Sequence, residues 1–201
     1  MSAGDRFAPA SVRKRLRQLN LEPHHVWLDR HVLEHAELTD AAVLMALTEQ
    51  DEEMHLVLTK RAIGLREHSG EISFPGGRAD LEDPSLLHTA LREASEEIAL
   101  APSHVEVYGA LLSLPTITGY RVSTFVGEFV QPYTLIANPH EIDTLIIAPL
   151  RALADERIYR LEDREFMGVT YPIHFYDYEG HVIWGATGFM LHLFLQYLSA
   201  S

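Results

Sequence analysis

At 201 residues the chain has room for one domain with its own core, and 47% hydrophobic against 22% charged residues is the balance of a globular protein. The net charge of -13 argues against nucleic acid or an anionic membrane as partner, so an anionic substrate would have to be received by local cations or a metal. The absence of cysteine rules out disulfides and thiol chemistry and fits a reducing compartment, so the cytoplasm is the expected location. No apolar run nears the roughly 18 residues of a membrane span, and the opening stretch MSAGDRFAPASVRKRLRQLN lacks the apolar core of a signal peptide.

Residues 9–19 read as an amphipathic helix with Val12, Leu16 and Leu19 inward, part of an amino-terminal helical arm over 1–30 that packs on a domain spanning 31–201. HVLEH at 31–35 matches H-x-x-E-H, and His31 and His35 would grip zinc if the segment were helical. The third ligand is undefined, and an ordinary connector is the preferred reading. AAVLMAL (41–47) is a continuous apolar run, as a buried strand would be, and MHLVLTK (54–60) alternates. The polar TEQDEE between them makes a hairpin. The long Gly/Pro-punctuated stretch from Arg61 to Ser85 is of the length that compact domains reserve for function, with a brief strand expected at Glu71–Phe74.

Asp83-Pro84 predicts a helix start, with Asp as N-cap and Pro at the first helical position, and the helix is expected to run to about Leu100. Strands are expected at 105–113, 121–130 and 143–148, a short helix at 149–155, a hairpin in FYDYEGHVIW (175–184) and a closing helix over about 185–199. Strands in the middle with helices around them predict an α/β sandwich on a mixed sheet.

The helix after Pro84 carries Glu93, Glu96 and Glu97 behind Arg92. At about 100° per residue, Leu87, Leu91, Ala94 and Ile98 make one stripe, and the three glutamates fall together roughly opposite. The reading leaves them without a basic side chain four positions away to relieve their repulsion. Two explanations stand side by side: a solvated helix face, or a site for a hard cation such as Mg²⁺ or Mn²⁺, which takes oxygen ligands. Phe74-Pro75-Gly76-Gly77, a tight turn feeding the helix, would add a free backbone carbonyl.

Together these residues resemble the Nudix hydrolases. The signature G-x5-E-x7-R-E-U-x-E-E-x-G-U (U apolar) is followed from Gly77 to Leu100, with its R-E-U-x-E-E core intact as Arg92–Glu97. There are two departures. The upstream Glu is missing from a segment one residue longer, which offers Asp80, Glu82 and Asp83 instead, and the late Gly is Ala99. Upstream, LTKRAIGLREHSGEISFPGG (58–77) looks like the second signature of coenzyme A pyrophosphatases within that family, with Thr59, Arg61, Leu65, His68, Gly70 and FPGG matching and Ala62 in place of the usual Ser. TGYRV (118–122) and WGAT (184–187) look like later landmarks of the same subfamily.

The resemblance implies a Nudix-type α/β/α sandwich with a mixed central sheet. It implies metal-dependent hydrolysis of coenzyme A or its derivatives to 3′,5′-ADP and 4′-phosphopantetheine. Glu93 and Glu97 would hold the main Mg²⁺ or Mn²⁺, with Glu96 and the Gly77 carbonyl helping, and Arg92 would orient the glutamates. The general base is left open among Glu96, Glu97 and Glu141 of the loop NPHEIDT; for Glu141 an exposed loop acid is the preferred reading. Arg61, Arg66 and Arg78, and His68 beside them, would receive phosphates, His68 equally as a brace of the loop. The rivals are a Nudix enzyme for ADP-ribose, NADH or a dinucleoside polyphosphate, and a non-catalytic nucleotide-binding module. The added terminal helices leave room for a homodimer.

Overall fold

The computed structural model describes residues 6–25, 38–63, 70–166 and 168–200. HVLEH, Arg66 and His68 lie outside them. The elements are α1 (Pro9–Leu16), β1 (His24–His25), β2 (Thr39–Gln50), β3 (Glu53–Arg61), β4 (Ile72–Ser73), β5 (Gly76–Arg78), α2 (Leu86–Ile98), β6 (Val105–Pro115), β7 (Tyr120–Phe129), β8 (Ile142–Pro149), α3 (Leu150–Leu153), β9 (Tyr159–Phe166), β10 (Val169–Tyr178), β11 (His181–Ile183) and α4 (Gly185–Ser199).

The apolar run in β2 reflects burial on both faces. Ala42, Leu44 and Ala46 face α2, with Val57, Phe125 and Phe129 around them. Met45 and Leu47 face the other way, into a larger core with Val12 and Leu16 of α1 and Leu191 and Phe194 of α4. A strand covered on both sides loses the polar alternation of a half-exposed one. The result is the α/β/α sandwich expected from sequence: a mixed sheet in the order β1-β6-β7-β2-β3-β4, with β5 added to β2 and β8 to β3. A second sheet, β11-β10-β9, packs under α4.

One feature of the pairing makes the site. β2 runs parallel to β7 from Thr39 to Leu47, but on its other edge it pairs with β3 only from Leu47 to Gln50. From Ala41 to Val43 its partner on that edge is β5, the stretch Gly76–Arg78. The Phe74–Gly77 segment is therefore not the plain turn expected: its second half is a strand, and the Leu44 N–H donates to the Pro75 carbonyl at 2.8 Å. A Cβ on Gly76 would lie 2.4 Å from the Ala42 carbonyl oxygen, so this close approach requires glycine.

Other differences are local. The hairpin between β2 and β3 turns on two residues, Asp51 and Glu52, both at positive φ, and the strands run through the polar residues on each side. Helix α1 ends at Leu16, and Leu19 packs against the core from beyond it. The charged strand β9, YRLEDREF, has no hydrophobic alternation to betray it; it forms because β10 pairs with it along its whole length. Helix α2 is capped by Ser85, whose Oγ accepts from the His88 N–H at 3.2 Å, and not by Asp83.

Candidate active site

Helix α2 does not present its three glutamates as one solvated face. Its buried residues are Thr89, Ala90, Ala94, Glu97 and Ile98, while Leu87 and Leu91 are only half-buried. Glu97 is 1% exposed, Glu93 is half-buried and Glu96 is exposed. The physical reason is the small side chains at 90 and 94, which let the helix settle close onto β2 with Glu97 turned beneath β5.

Glu97 is held from two sides. The Gly76 N–H donates to its Oε2 at 3.1 Å, and Arg61 Nη1 lies 3.6 Å from its Oε1. Burial dominates these contacts and pushes its carboxyl up to about 8. Glu93 is raised too, chiefly by burial and against the pull of Arg92. A Cβ on Gly77 would lie 2.6 Å from the Glu93 carboxylate, so this glycine makes the room in which Glu93 sits.

Arg92 is the hub, and it corrects the expectation of unrelieved charge: it stands four residues before Glu96 and reaches it at 3.1 Å, and it reaches Glu93 at 2.8 Å. Its main partner is Asp83, by Nε to Oδ1 at 3.1 Å and Nη2 to Oδ2 at 2.9 Å. Arg92 Nη2 also donates to the Arg78 carbonyl at 3.2 Å. Asp83 takes further hydrogen bonds from the Asp80 N–H, Thr89 Oγ1 and His88 Nδ1. With Arg92 foremost, these hold its carboxyl well below the usual range. Asp83 is expected from sequence both as a helix cap and, with Asp80 and Glu82, as a stand-in for the missing signature Glu; the structure bears out the second place and not the first. Counted from Gly77, Asp83 is the sixth residue on, where the signature has its Glu, and the extra residue falls after it.

Glu141 is half-buried rather than a free loop acid. Asn138 Nδ2 donates to its Oε1 at 3.0 Å, and its charge raises the carboxyls of both Glu93 and Glu97. The loop that carries it is fixed to the end of α2 by the Asn138 N–H on the Glu97 carbonyl at 2.8 Å, and to the end of β3 by the Ala62 N–H on the Glu141 carbonyl at 2.8 Å. Arg61 is partly buried, and its Nε is buried with no hydrogen-bond partner. Arg78 is exposed at the end of β5, beside Glu93's glycine.

These residues fit a hard divalent cation. Glu97 is a buried carboxylate whose nearest cation is 3.6 Å away, and buried charges are normally paired or bound to metal. Around it the described acids Asp80, Asp83, Glu93, Glu96 and Glu141 outnumber Arg61, Arg78 and Arg92. Among the described residues no three acidic or histidine side chains converge into a cage. Mg²⁺ usually keeps waters and substrate phosphates alongside one or two carboxylates, and the buried Glu97 with the half-buried Glu93 supplies that many. No helix among the described residues is long and apolar enough to cross a membrane.

The NUDIX domain family matches residues 38–169. A Photorhabdus laumondii protein named "Uncharacterized Nudix hydrolase NudL" is 38% identical over 141 residues, covering 70% of this chain and 75% of its own. Its Yersinia enterocolitica namesake is 40% identical over 157 residues, 78% of this chain and 80% of its own. The Arabidopsis thaliana protein named "Nudix hydrolase 15, mitochondrial" is 39% identical over 158 residues, 75% of this chain and 55% of its own length.

Proposed function

The chain belongs to the Nudix hydrolases, and from that premise we propose that it is a metal-dependent coenzyme A diphosphatase, cleaving coenzyme A or a derivative to 3′,5′-ADP and 4′-phosphopantetheine or its acyl form. The observation that carries the substrate reading is the meeting of Arg61 with Glu97. Arg61 belongs to the 58–77 stretch that resembles the coenzyme A signature, and Glu97 to the glutamate core. They stand 3.6 Å apart, with the Arg61 Nε left unpartnered in a buried place. A buried guanidinium donor beside an acidic cluster is suited to a phosphate oxygen.

The geometry supports the following division of labour. Glu93 and Glu97 would hold the Mg²⁺ or Mn²⁺, with the Gly77 carbonyl and the outward Glu96 as further oxygen donors. A bound divalent metal neutralises pyrophosphate charge and acidifies water. Arg92, clamped by Asp83, orients Glu93 and Glu96 rather than touching substrate. Arg61 receives one phosphate and Arg78, exposed at the mouth, another; Arg66 is proposed for the same task on sequence grounds. The proton of the attacking water goes to a carboxylate near these two ligands. Glu141 is suited to this: it is half-buried, close enough to raise both carboxyls, and braced by Asn138. Glu96 and Glu97 are the other candidates for the base.

The test is turnover. The purified protein is incubated with coenzyme A and Mg²⁺ or Mn²⁺, beside ADP-ribose and NADH, with Glu97→Gln as control. Appearance of 3′,5′-ADP and phosphopantetheine, absent in the control, supports the reading. Cleavage of ADP-ribose or NADH in preference to coenzyme A overturns the substrate assignment. No cleavage of any of them favours a binding module.

A further inference from the structure

The last turn of a helix leaves backbone carbonyls with no partner inside it. At the end of α2 two of them are met by the chain that follows, with the Ala99 N–H on Ser95 at 3.1 Å and the Leu100 N–H on Ala94 at 3.3 Å. Three more are met by one distant stretch. Tyr133 Oη donates to the Ala99 carbonyl at 2.7 Å, the Ile136 N–H to Ile98 at 3.0 Å and the Asn138 N–H to Glu97 at 2.8 Å. Tyr133 Oη also accepts the Ala101 N–H at 2.8 Å, and its ring lies edge-on to Phe129 and His104. Residues 133–138 are thus a strap across the end of the helix, and the strap leads directly to Glu141.

Asn138 is where the strap turns, and each of its polar groups is used. Its carbonyl accepts the Glu141 and Ile142 N–H groups at 3.0 and 2.8 Å, its Oδ1 accepts the His140 N–H at 3.2 Å, and its Nδ2 donates to Glu141 Oε1 at 3.0 Å. An ionised carboxylate only accepts and a backbone N–H only donates, so one orientation of the amide satisfies both neighbours. Among the described residues no other side chain bonds the Glu141 carboxylate, and its Oε2 is the oxygen left to take up a proton. The sheet fixes the other side of Glu141. β3 and β8 pair in step from His55 to Lys60 and then shift, so that Arg61 faces Ile142 and Asp143 is passed over. Such a bulge re-aims the side chains beside it. It sets Arg61, which meets Glu97 at 3.6 Å, level with the residue after Glu141.

We propose that Asn138 is a positioning residue for the hydrolysis: it holds Glu141 as the base for the attacking water, in a fixed place relative to Glu93 and Glu97 because the same residue is tied to the Glu97 carbonyl. It rests on the proposed function in one respect, that the reaction is attack of water on a diphosphate. The water oxygen bonds phosphorus, one of its protons passes to Glu141, and the bridging P–O bond breaks with its electron pair on the departing phosphate. Asn138 acts only through Glu141. Its amide is neutral, so it orients the carboxylate without cancelling the charge that makes it a base.

The test is a double-mutant cycle on whichever diphosphate the enzyme cleaves. Glu141→Ala should lower kcat by about 100-fold or more, and Asn138→Ala by about 10- to 100-fold with KM little changed. The double variant should be no slower than Glu141→Ala alone. Mn²⁺ affinity, read by electron paramagnetic resonance without substrate, should be the same in Asn138→Ala as in the wild type. Asn138→Asp keeps the acceptor for His140 and sets a like charge against Glu141, so it should fold and be at least as slow as Asn138→Ala. Tyr133→Phe, which frees only the far end of the strap, should lower Tm and leave kcat nearly unchanged. Wild-type kcat in either Asn138 variant overturns the proposal. So does an equal loss with and without Glu141, a Mn²⁺ affinity that falls in step with kcat, or a Tyr133→Phe protein as slow as Asn138→Ala. Wild-type kcat in Glu141→Ala discards Glu141 as the base and the role of Asn138 with it. A slow Glu141→Ala protein beside a normal Asn138→Ala protein discards the positioning role alone.

Discussion

The backbone N–H of Gly76 donates to the Glu97 carboxylate at 3.1 Å, from a strand that takes over the edge of β2 where β3 leaves it. This places a carboxyl pushed up to about 8 by burial at the centre of the candidate site. A folded-state value above the unfolded one means that the folded protein binds more protons between about 4.5 and 8. Glu97 therefore makes the metal-free protein less stable as pH rises through that window. Glu97→Gln keeps an acceptor for Gly76 and removes the charge. In EDTA at pH 8 to 9 it should be more stable than the wild type by about 1 to 3 kcal/mol, while losing turnover. Thermal melts against pH check this. A variant less stable than the wild type in EDTA would show that the pairing with Arg61 outweighs desolvation.

Asp83 and Arg92 make the opposite kind of pair, a carboxylate held well below its usual range by a guanidinium. Asp83→Ala removes the main partner of Arg92 and leaves Thr89 Oγ1 without its acceptor. The remaining contacts to Glu93 and Glu96 soften the loss, so about 3 kcal/mol is expected, which in a chain of this size lowers Tm by about 6 to 12 °C. Asp83→Asn, similar in shape, should fold better yet weaken metal affinity by about 10- to 100-fold, because Arg92 then orients Glu93 less firmly. Metal titrations of activity check the second effect, and an unchanged metal requirement would remove Arg92 from its orienting role.

Ala99 ends α2 in the left-handed region, at φ 56°, where its N–H closes on the Ser95 carbonyl at 3.1 Å. An L-residue with a Cβ costs about 1–2 kcal/mol there, partly offset because glycine loses more freedom on folding. Ala99→Gly should raise stability by about 0.5 to 1 kcal/mol and leave kcat/KM unchanged. Denaturant melts decide it.

The fold was legible where one physical signal dominated. The run AAVLMAL announced a strand buried on both faces, and α4 lies where its apolar pattern put it, at Gly185–Ser199. What escaped was set by distant partners. Gly76–Arg78 has no side-chain pattern of a strand and becomes one because β2 offers a vacant edge. YRLEDREF is a strand because β10 is its neighbour. The glutamates were legible as a group but not individually. A helical wheel cannot tell that Ala90 and Ala94 let α2 approach the sheet until Glu97 is buried and only Glu96 stays outside. The Arg92–Glu96 spacing is visible in the sequence, and Asp83 is among the three acids that stand in for the signature Glu, but the pattern does not say which of the three Arg92 holds.

Beneath α4 two imidazoles, His174 of β10 and His192 of α4, lie 4.2 Å apart between ring centroids. Tyr159 hydrogen-bonds His174 Nδ1 at 3.0 Å and Tyr176 hydrogen-bonds His192 Nδ1 at 3.1 Å, with Phe189 against His174 and the Tyr159 ring against His192. No acidic side chain among the described residues contacts either ring. Burial, then the neighbouring His192, pushes His174 down to about 4, and burial lowers His192 as well. Both rings are therefore neutral in the folded protein at pH values where the unfolded chain, titrating near 6.5, already binds protons. The unfolded state takes up more protons as pH falls from about 6.5 to 4, so stability declines through that window, by at most about 3 kcal/mol from His174. His174→Phe keeps the stack on Phe189 and His192 and removes one titrating group. It should flatten the acid limb of the stability curve between pH 6.5 and 4, with little change at pH 8 apart from the lost Tyr159 bond of about 1 kcal/mol. Denaturant melts of both proteins at each pH check this; an acid limb of equal slope in the variant would assign the decline to other groups.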